Sequence, residues 1–224
     1  MNDKKHASRV GRAHTRYYTK SGVLVPGVTT VLSVLNKPAL VRWANRLGLE
    51  GIDVSKYVDE LARIGTLSHY LIECHLKGHK PDLKNYTANQ IDLAENSAIK
   101  FIQWQDEQKD YKQIASEKGV VSETLLYGGT VDIYCEIDGK KTVIDIKTCK
   151  GVYDEMHTQA VAYAKALKDD GCPVDEIKIV RVGRNEEEGF EVVKVGNIDL
   201  HWERFKACRK IYEINKALKA GGKK

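Results

Sequence analysis

The stretch from Val120 to Thr148 reads VVSETLLYGGTVDIYCEIDGKKTVIDIKT and predicts a three-stranded antiparallel meander. Asp138-Gly139 is a two-residue hairpin signal, because a type I′ turn requires positive φ at both central positions. With that turn Ile137 faces Lys140, and the same register places Asp132 directly opposite Asp145. Alternation along the strand puts Lys147 on the Asp145 face and turns Ile146 to the other side. Opposed side chains lie about 4.5–5.5 Å apart at Cβ, where like charges destabilise a sheet. Two carboxylates at that range repel by about 1 kcal/mol in water and several-fold more near a protein interior. A bound cation turns that cost into a site. A longer turn would face Asp132 with Lys147 instead and give an ordinary salt bridge.

The rest of the chain frames this meander. At 224 residues, with 42% hydrophobic and 30% charged residues, the length suits one domain. No apolar run reaches the roughly 20 residues that span a bilayer, and the opening MNDKKHASRVGR lacks an apolar core. The expectation is a protein of a reducing compartment, cytoplasmic, with no membrane partner. Cys74, Cys135, Cys149, Cys172 and Cys208 are scattered and form no CxxC pair, which argues against disulfides and against a zinc or iron–sulfur site. The net charge of +5 is concentrated at the start, where residues 1–20 hold six Lys/Arg against Asp3 alone. Residues 1–13 read as a flexible basic tail, suited to a polyanion.

Residues 14–224 read as one α/β domain, with a helical part at 14–116 and a core at 117–224. A hairpin over RYYT-KSG-VLV leads to a short helix capped by Thr29 or Thr30 and ending at Leu35. Pro38 opens a helix closed by Gly48, and Ser55 begins a long one ending before Gly78. Thr87-Ala-Asn-Gln90 is a capping box. After the meander come a helix at 155–168, strands at 176–182 and 189–195, and a helix at 198–219. The order implies a mixed central β-sheet flanked by helices, the helical N-terminal part lying over one edge.

A hard divalent ion needs several oxygen ligands; Asp132, Asp145 and the Ile146 carbonyl offer three. Lys147, on the same face, is placed to meet a water or a phosphate oxygen. A charged outer sheet face is the plain alternative. Reading Gly128-Gly129 as a tight turn puts Glu123 opposite Tyr134 and so on the Asp132 face. His69, one turn after Gly65, is a candidate ligand beside space that the glycine leaves. Gln159 and Tyr163 share a helical face. Arg16, Tyr17, Tyr18, Arg42 and Trp43 combine cations with stacking surfaces, although Trp43 reads first as a core residue. Cys74, His75 and His79 make a poor zinc set, since no fourth ligand is evident.

In their order and spacing, GTLSHY at 65–70, SETLLYGGTVD at 122–132, IDIKT at 144–148 and QAVAY at 159–163 resemble the PD-(D/E)XK nuclease superfamily, in its RecB-like branch. The stretch VPGVTTVLSVLNKPALVRWANRLGLEG is similar to the lead-in of phage exonucleases and mitochondrial genome maintenance exonucleases. Together the resemblance spans roughly residues 15–195. It implies a restriction-endonuclease-like core in which His69, Asp132, Asp145 and the Ile146 carbonyl hold Mg²⁺ or Mn²⁺. By the same resemblance Lys147 serves the attacking water, Glu123 supports the metal site, and Gln159 and Tyr163 brace it or touch the DNA backbone. Val131 stands where the superfamily's name has proline. The implied activity is a stand-alone, phage-type DNA exonuclease working on ends or single strands in replication, recombination or repair, with a single-strand-binding or recombinase protein as the implied protein partner. An endonuclease of the same superfamily and an inactive DNA-binding module on this fold are the alternatives. No nucleotide cofactor is expected, since no GxxxxGK[S/T] is present, and the cysteines are misplaced for an iron–sulfur cluster.

Overall fold

A computed structural model describes residues 15–221; the basic tail at 1–13 lies outside the described residues. A small hairpin, β1 (Tyr17–Tyr18) and β2 (Leu24–Val25), precedes α1 (Val28–Leu32), α2 (Pro38–Leu49), α3 (Val54–Lys77) and α4 (Ala88–Asp106). Then come β3 (Lys112–Ser122), β4 (Tyr127–Ile137), β5 (Lys140–Lys147), α5 (Asp154–Asp169), β6 (Glu176–Val182), β7 (Phe190–Lys194) and α6 (Ile198–Gly221). The large sheet runs β3-β4-β5-β6-β7. Only β5 and β6 pair in parallel, joined by α5; the other neighbours are antiparallel. It is a mixed sheet flanked by helices, as the pattern of the sequence predicts.

Local chemistry fixes the boundaries. Asp138 and Gly139 both hold positive φ, 50° and 73°, as a type I′ turn demands. Thr87 and Gln90 close their capping box reciprocally. Gly78 ends α3 in the left-handed region at φ 64°. Asp53, not Ser55, caps that helix by accepting from the Lys56 N–H. Thr29 and Thr30 cap nothing: α1 already starts at Val28, behind Gly27.

Two expectations change. The helical N-terminal part covers a face of the sheet rather than an edge: Ile72 of α3 and Ala98, Phe101 and Trp104 of α4 pack on Ile133, Cys135, Ile144, Ile146 and Val180. The opposite face carries α5, α6 and α1, with Leu167, Phe205 and Val31 packed over Val143 and Ile179. Burial of that apolar surface on both faces is the main force holding the layers together. The meander also starts earlier than Val120, because β3 begins at Lys112 and crosses the expected boundary at residue 117. Lys112 to Glu117 lie on an edge strand and hold only Ile114 and Ala115 as apolar residues, adjacent rather than alternating, so they lack the pattern that marks a half-buried strand.

Among the described residues no helix is long and apolar enough to cross a membrane.

Candidate active site

The β4–β5 ladder follows the expected register from Ile137↔Lys140 to Ile133↔Ile144 and stops one pair short of Asp132 and Asp145. There β4 rolls over. Ile133, Cys135 and Ile137 pack beneath α3 and α4, yet Val131 packs in the opposite core. Asp132 sits at the roll, and its Oδ2 accepts the Ile146 N–H at 2.8 Å, replacing the ladder with a side-chain bond. Opposite the roll, between the pairs Ser116↔Ile133 and Lys118↔Val131, stands Glu117 with φ 51°. A non-glycine residue in that region is uncommon, and here it accompanies a carboxylate that faces another.

His69, from the middle of α3, completes the group. Its Nδ1 lies 3.5 Å from Asp132 Oδ1. One ligand atom each from His69, Glu117 and Asp132 fall within 4.8 Å of one another. Asp145, 2% exposed, sits alongside with Lys147 Nζ 2.5 Å from its Oδ2. That contact is Coulombic: the buried Oδ2 accepts no hydrogen bond of ordinary geometry. Gly65 lies against Thr148, so the space beside His69 belongs to the end of β5.

Glu123, by contrast, is remote from this cluster. Gly128 and Gly129 lie within β4; the turn is Glu123 to Leu126, with Ser122 Oγ accepting the Leu125 N–H, Ser122 O accepting the Leu126 N–H, and Leu126 at φ 54°. Glu123 is exposed and accepts the Lys20 N–H at 2.9 Å. The glycine pair serves close approach, not a turn. A Cβ on Gly128 would run into the Tyr17 side chain, and one on Gly129 into the Tyr163 ring.

Tyr163 thereby lies over the carboxylates, and Gln159 Nε2 donates to its hydroxyl at 2.9 Å. A cleft of about 1260 Å³ opens at this end of the sheet. Tyr17, Trp43, Tyr57 and Tyr153 line its walls with Tyr163. Trp43 is half-buried on that wall, 6.1 Å from Tyr57 between ring centroids, rather than in the core. Arg16, Tyr18 and Arg42 are exposed and do not line the cleft. Lys37, the N-cap of α2, and Glu155, in the first turn of α5, both line it and form an ion pair of 2.7 Å.

Burial and mutual charge set the titration of the cluster. Burial lowers the His69 pKa, but the Asp132 and Glu117 carboxylates outweigh it and hold it above the usual value. Burial raises Asp132, and the His69 and Lys147 charges pull it below the normal carboxylate range. Asp145 is pushed up to about 6 by burial, offset only in part by Lys147 and reinforced by Asp132. Lys147 stays above its normal value, because Asp145 and Asp132 overcome its burial. Burial, then Asp145 and Asp132, raise Tyr163.

No profile of a known family matches the chain, and no curated protein matches it in sequence. Among solved structures it is similar to a crystal structure of a "Putative exonuclease" from Eubacterium rectale. The TM-score is 0.42 at 9% identity, over 66% of this chain and 68% of that one.

The donor set fits a hard divalent cation. Carboxylate oxygens of Asp132 and Glu117 and an imidazole nitrogen converge, and the buried Asp145 Oδ2 lacks a hydrogen bond. Glu117→Gln is expected to weaken Mn²⁺ binding at least tenfold in calorimetric titration, and Glu123→Gln to leave it unchanged. Equal effects of the two substitutions would remove Glu117 from the ligand set.

The Asp145 shift has its own signature. Its folded pKa, about 6, exceeds the ordinary 3.8, so ionising it costs stability as pH rises through that window. In metal-free protein the melting temperature of Asp145→Asn relative to the parent should therefore rise from pH 4 to 6 and level off above. A difference that is flat with pH would mean that Asp145 titrates normally.

Proposed function

We propose that this protein is a metal-dependent DNA exonuclease that hydrolyses phosphodiester bonds at DNA ends or in single strands. The observation that carries this reading is the meeting of Asp132, Glu117, His69 and Lys147 at the lining of an aromatic-walled cleft, with Asp145 buried behind Lys147. At about 1260 Å³ the cleft exceeds the ~300–1,000 Å³ typical of a small-molecule pocket, which favours a segment of polymer. Aromatic walls suit unpaired bases, each stacked base contributing about 1–3 kcal/mol.

Asp132, Glu117 and His69 would hold Mg²⁺ or Mn²⁺, with Asp145 and the Ile146 carbonyl as further oxygens. Such an ion supplies an acidified water and a counter-charge for the phosphate. The Ile146 N–H fixes one Asp132 oxygen and leaves the other toward His69. Lys147, kept protonated by its two carboxylates, donates hydrogen bonds and positive charge to the attacking water or a phosphate oxygen; it is no general base. Asp145, the more basic of the two aspartates, is the group able to take up a proton near neutral pH. Tyr163, held by Gln159 and the Gly129 backbone, screens the aspartates and presents a hydroxyl to the phosphate backbone.

The test uses end-labelled linear and circular DNA, single- and double-stranded, with Mg²⁺, Mn²⁺ or EDTA. Metal-dependent loss of linear DNA with circles intact is the expected result. Nicked circles would make the protein an endonuclease, and binding without cleavage would make it a DNA-binding module.

A further inference from the structure

Four cations line the cleft among the described residues: Lys37, Lys147, Lys150 and Arg184. Lys37 is engaged with Glu155, and Lys147 with Asp145. Lys150, exposed on the turn after β5, makes no hydrogen bond or ion pair among the described residues. Arg184 is different in kind. Its side chain is 7% exposed and is braced by Glu188, whose carboxylate accepts from the Arg184 backbone N–H at 3.0 Å, from Nε at 2.8 Å and from Nη2 at 2.5 Å. Glu188 is itself anchored, its N–H donating to Asn185 Oδ1. This fork leaves Nη1 without a partner among the described residues and pointing from a side chain that has little freedom left to lose.

Topology brings the two together. β5 and β6 run parallel, with Asp145 beside Ile179 and Lys147 beside Arg181. Lys150 and Arg184 both line the cleft just beyond those strand ends. Charges confirm the neighbourhood: Lys150 pulls on Glu188, and Arg184 on Cys149. A third donor lies at the same strand end, the buried Thr148 Oγ1, which has no hydrogen-bond partner. A buried hydroxyl left in that state is costly, so an outside acceptor is favoured. The carboxyl end of parallel strands is also where open α/β sheets take ligands.

We propose that Thr148, Lys150 and Arg184 form a second phosphate subsite, which grips a backbone phosphate next to the scissile one. This rests on the nuclease reading for the identity of the strand, but not for the anion chemistry. Lys150 is three residues beyond Lys147, at most about 10 Å along an extended chain, near enough to reach a neighbouring linkage. A braced arginine and an unpaired lysine are the usual recognition of such an anion. The subsite sets register: it holds the strand so that one linkage faces Asp132 and Asp145.

The experiment uses the full chain with Ca²⁺ in place of Mg²⁺ and a fluorescent single-stranded oligonucleotide, scanned with one neutral methylphosphonate linkage at a time. In the parent, one linkage beside the cleavage position should weaken binding about fivefold when neutralised. Lys150→Ala should weaken binding by a similar factor and reduce the salt slope by about 0.7, the share of one single-strand phosphate. In that variant the same methylphosphonate should have a clearly smaller effect than in the parent, since only Arg184 and Thr148 remain to feel it. Thr148→Val should reproduce a smaller part of the loss and Thr148→Ser should not. Because Lys150 is exposed, its variant is safe for folding, whereas Arg184→Ala risks leaving Glu188 as a buried charge without its partner. An unchanged salt slope, or additive losses from Lys150→Ala and the methylphosphonate, overturns the subsite. Intact linkage dependence with no Mg²⁺-dependent cleavage overturns the nuclease reading and leaves the subsite standing.

Discussion

Lys147→Met is expected to reduce kcat on linear DNA by at least about a thousandfold while the protein stays folded. The lysine stands 2.5 Å from Asp145 and shares its charge with Asp132. On the proposed reading, removing it would take away the donor to the phosphate; it also leaves Asp132, Asp145 and Glu117 close together with only His69 as a cation. Breaking a buried pair usually costs about 3–5 kcal/mol. Here the cost is limited because Asp145, already pushed up to about 6, relieves the imbalance by taking a proton. Metal binding by the variant should weaken as pH falls, because that proton competes with the ion. Arginine should not rescue it, since a planar fork cannot occupy a site shaped for one ammonium. Single-turnover kinetics and circular dichroism check both halves. Cleavage within tenfold of the parent would remove Lys147 from the chemistry.

Gly129→Ala carries the second large effect. The new methyl would drive into the Tyr163 ring, where neither strand nor helix can give much. Overpacking of this kind costs about 1–3 kcal/mol, a loss of roughly 2–12 °C in Tm for a chain of this size. Moving Tyr163 also separates it from Gln159 and uncovers the aspartates, so kcat should fall with Tm. Tyr163→Ala should cost less Tm in the Gly129→Ala background than in the parent, and restore no activity. If the two losses simply add, the clash is not with Tyr163.

Much of this arrangement is legible in the sequence because local signals and hydrophobic pattern agree. Asp138-Gly139, Thr87 with Gln90, Pro38 and Gly78 each announce a turn or a helix end by their own backbone chemistry. The hairpin at 138–139 fixes the face of Asp145 and Lys147, whereas the roll that turns Asp132 toward His69 lies beyond its ladder. Glu117 is hidden for a definite reason: a glycine pair signals either a turn or a close approach, and only the tertiary contacts of Tyr17 and Tyr163 decide which. Reading a turn there shifts the β3 register and promotes Glu123 to a place that Glu117 holds. Ser122, whose hydroxyl and carbonyl both close the true turn, was the available clue. The cation pair at the end of β5 and β6 is invisible along the chain, since Lys150 and Arg184 become neighbours only through a parallel crossover.

The Lys37–Glu155 ion pair ties α2 to α5 beside the cleft that both residues line, and on the exonuclease reading it would act as a bar over the bound strand. A strand with a free end can thread beneath such a bar, whereas a closed circle must wait for it to open. An ion pair this exposed holds with at most about 1 kcal/mol, so opening is frequent and the preference for ends becomes a matter of rate, not an absolute barrier. Salt that loosens the pair should narrow the gap between linear and circular substrates. Discrimination by topology would then reside in one lysine and one glutamate that take no part in breaking the bond.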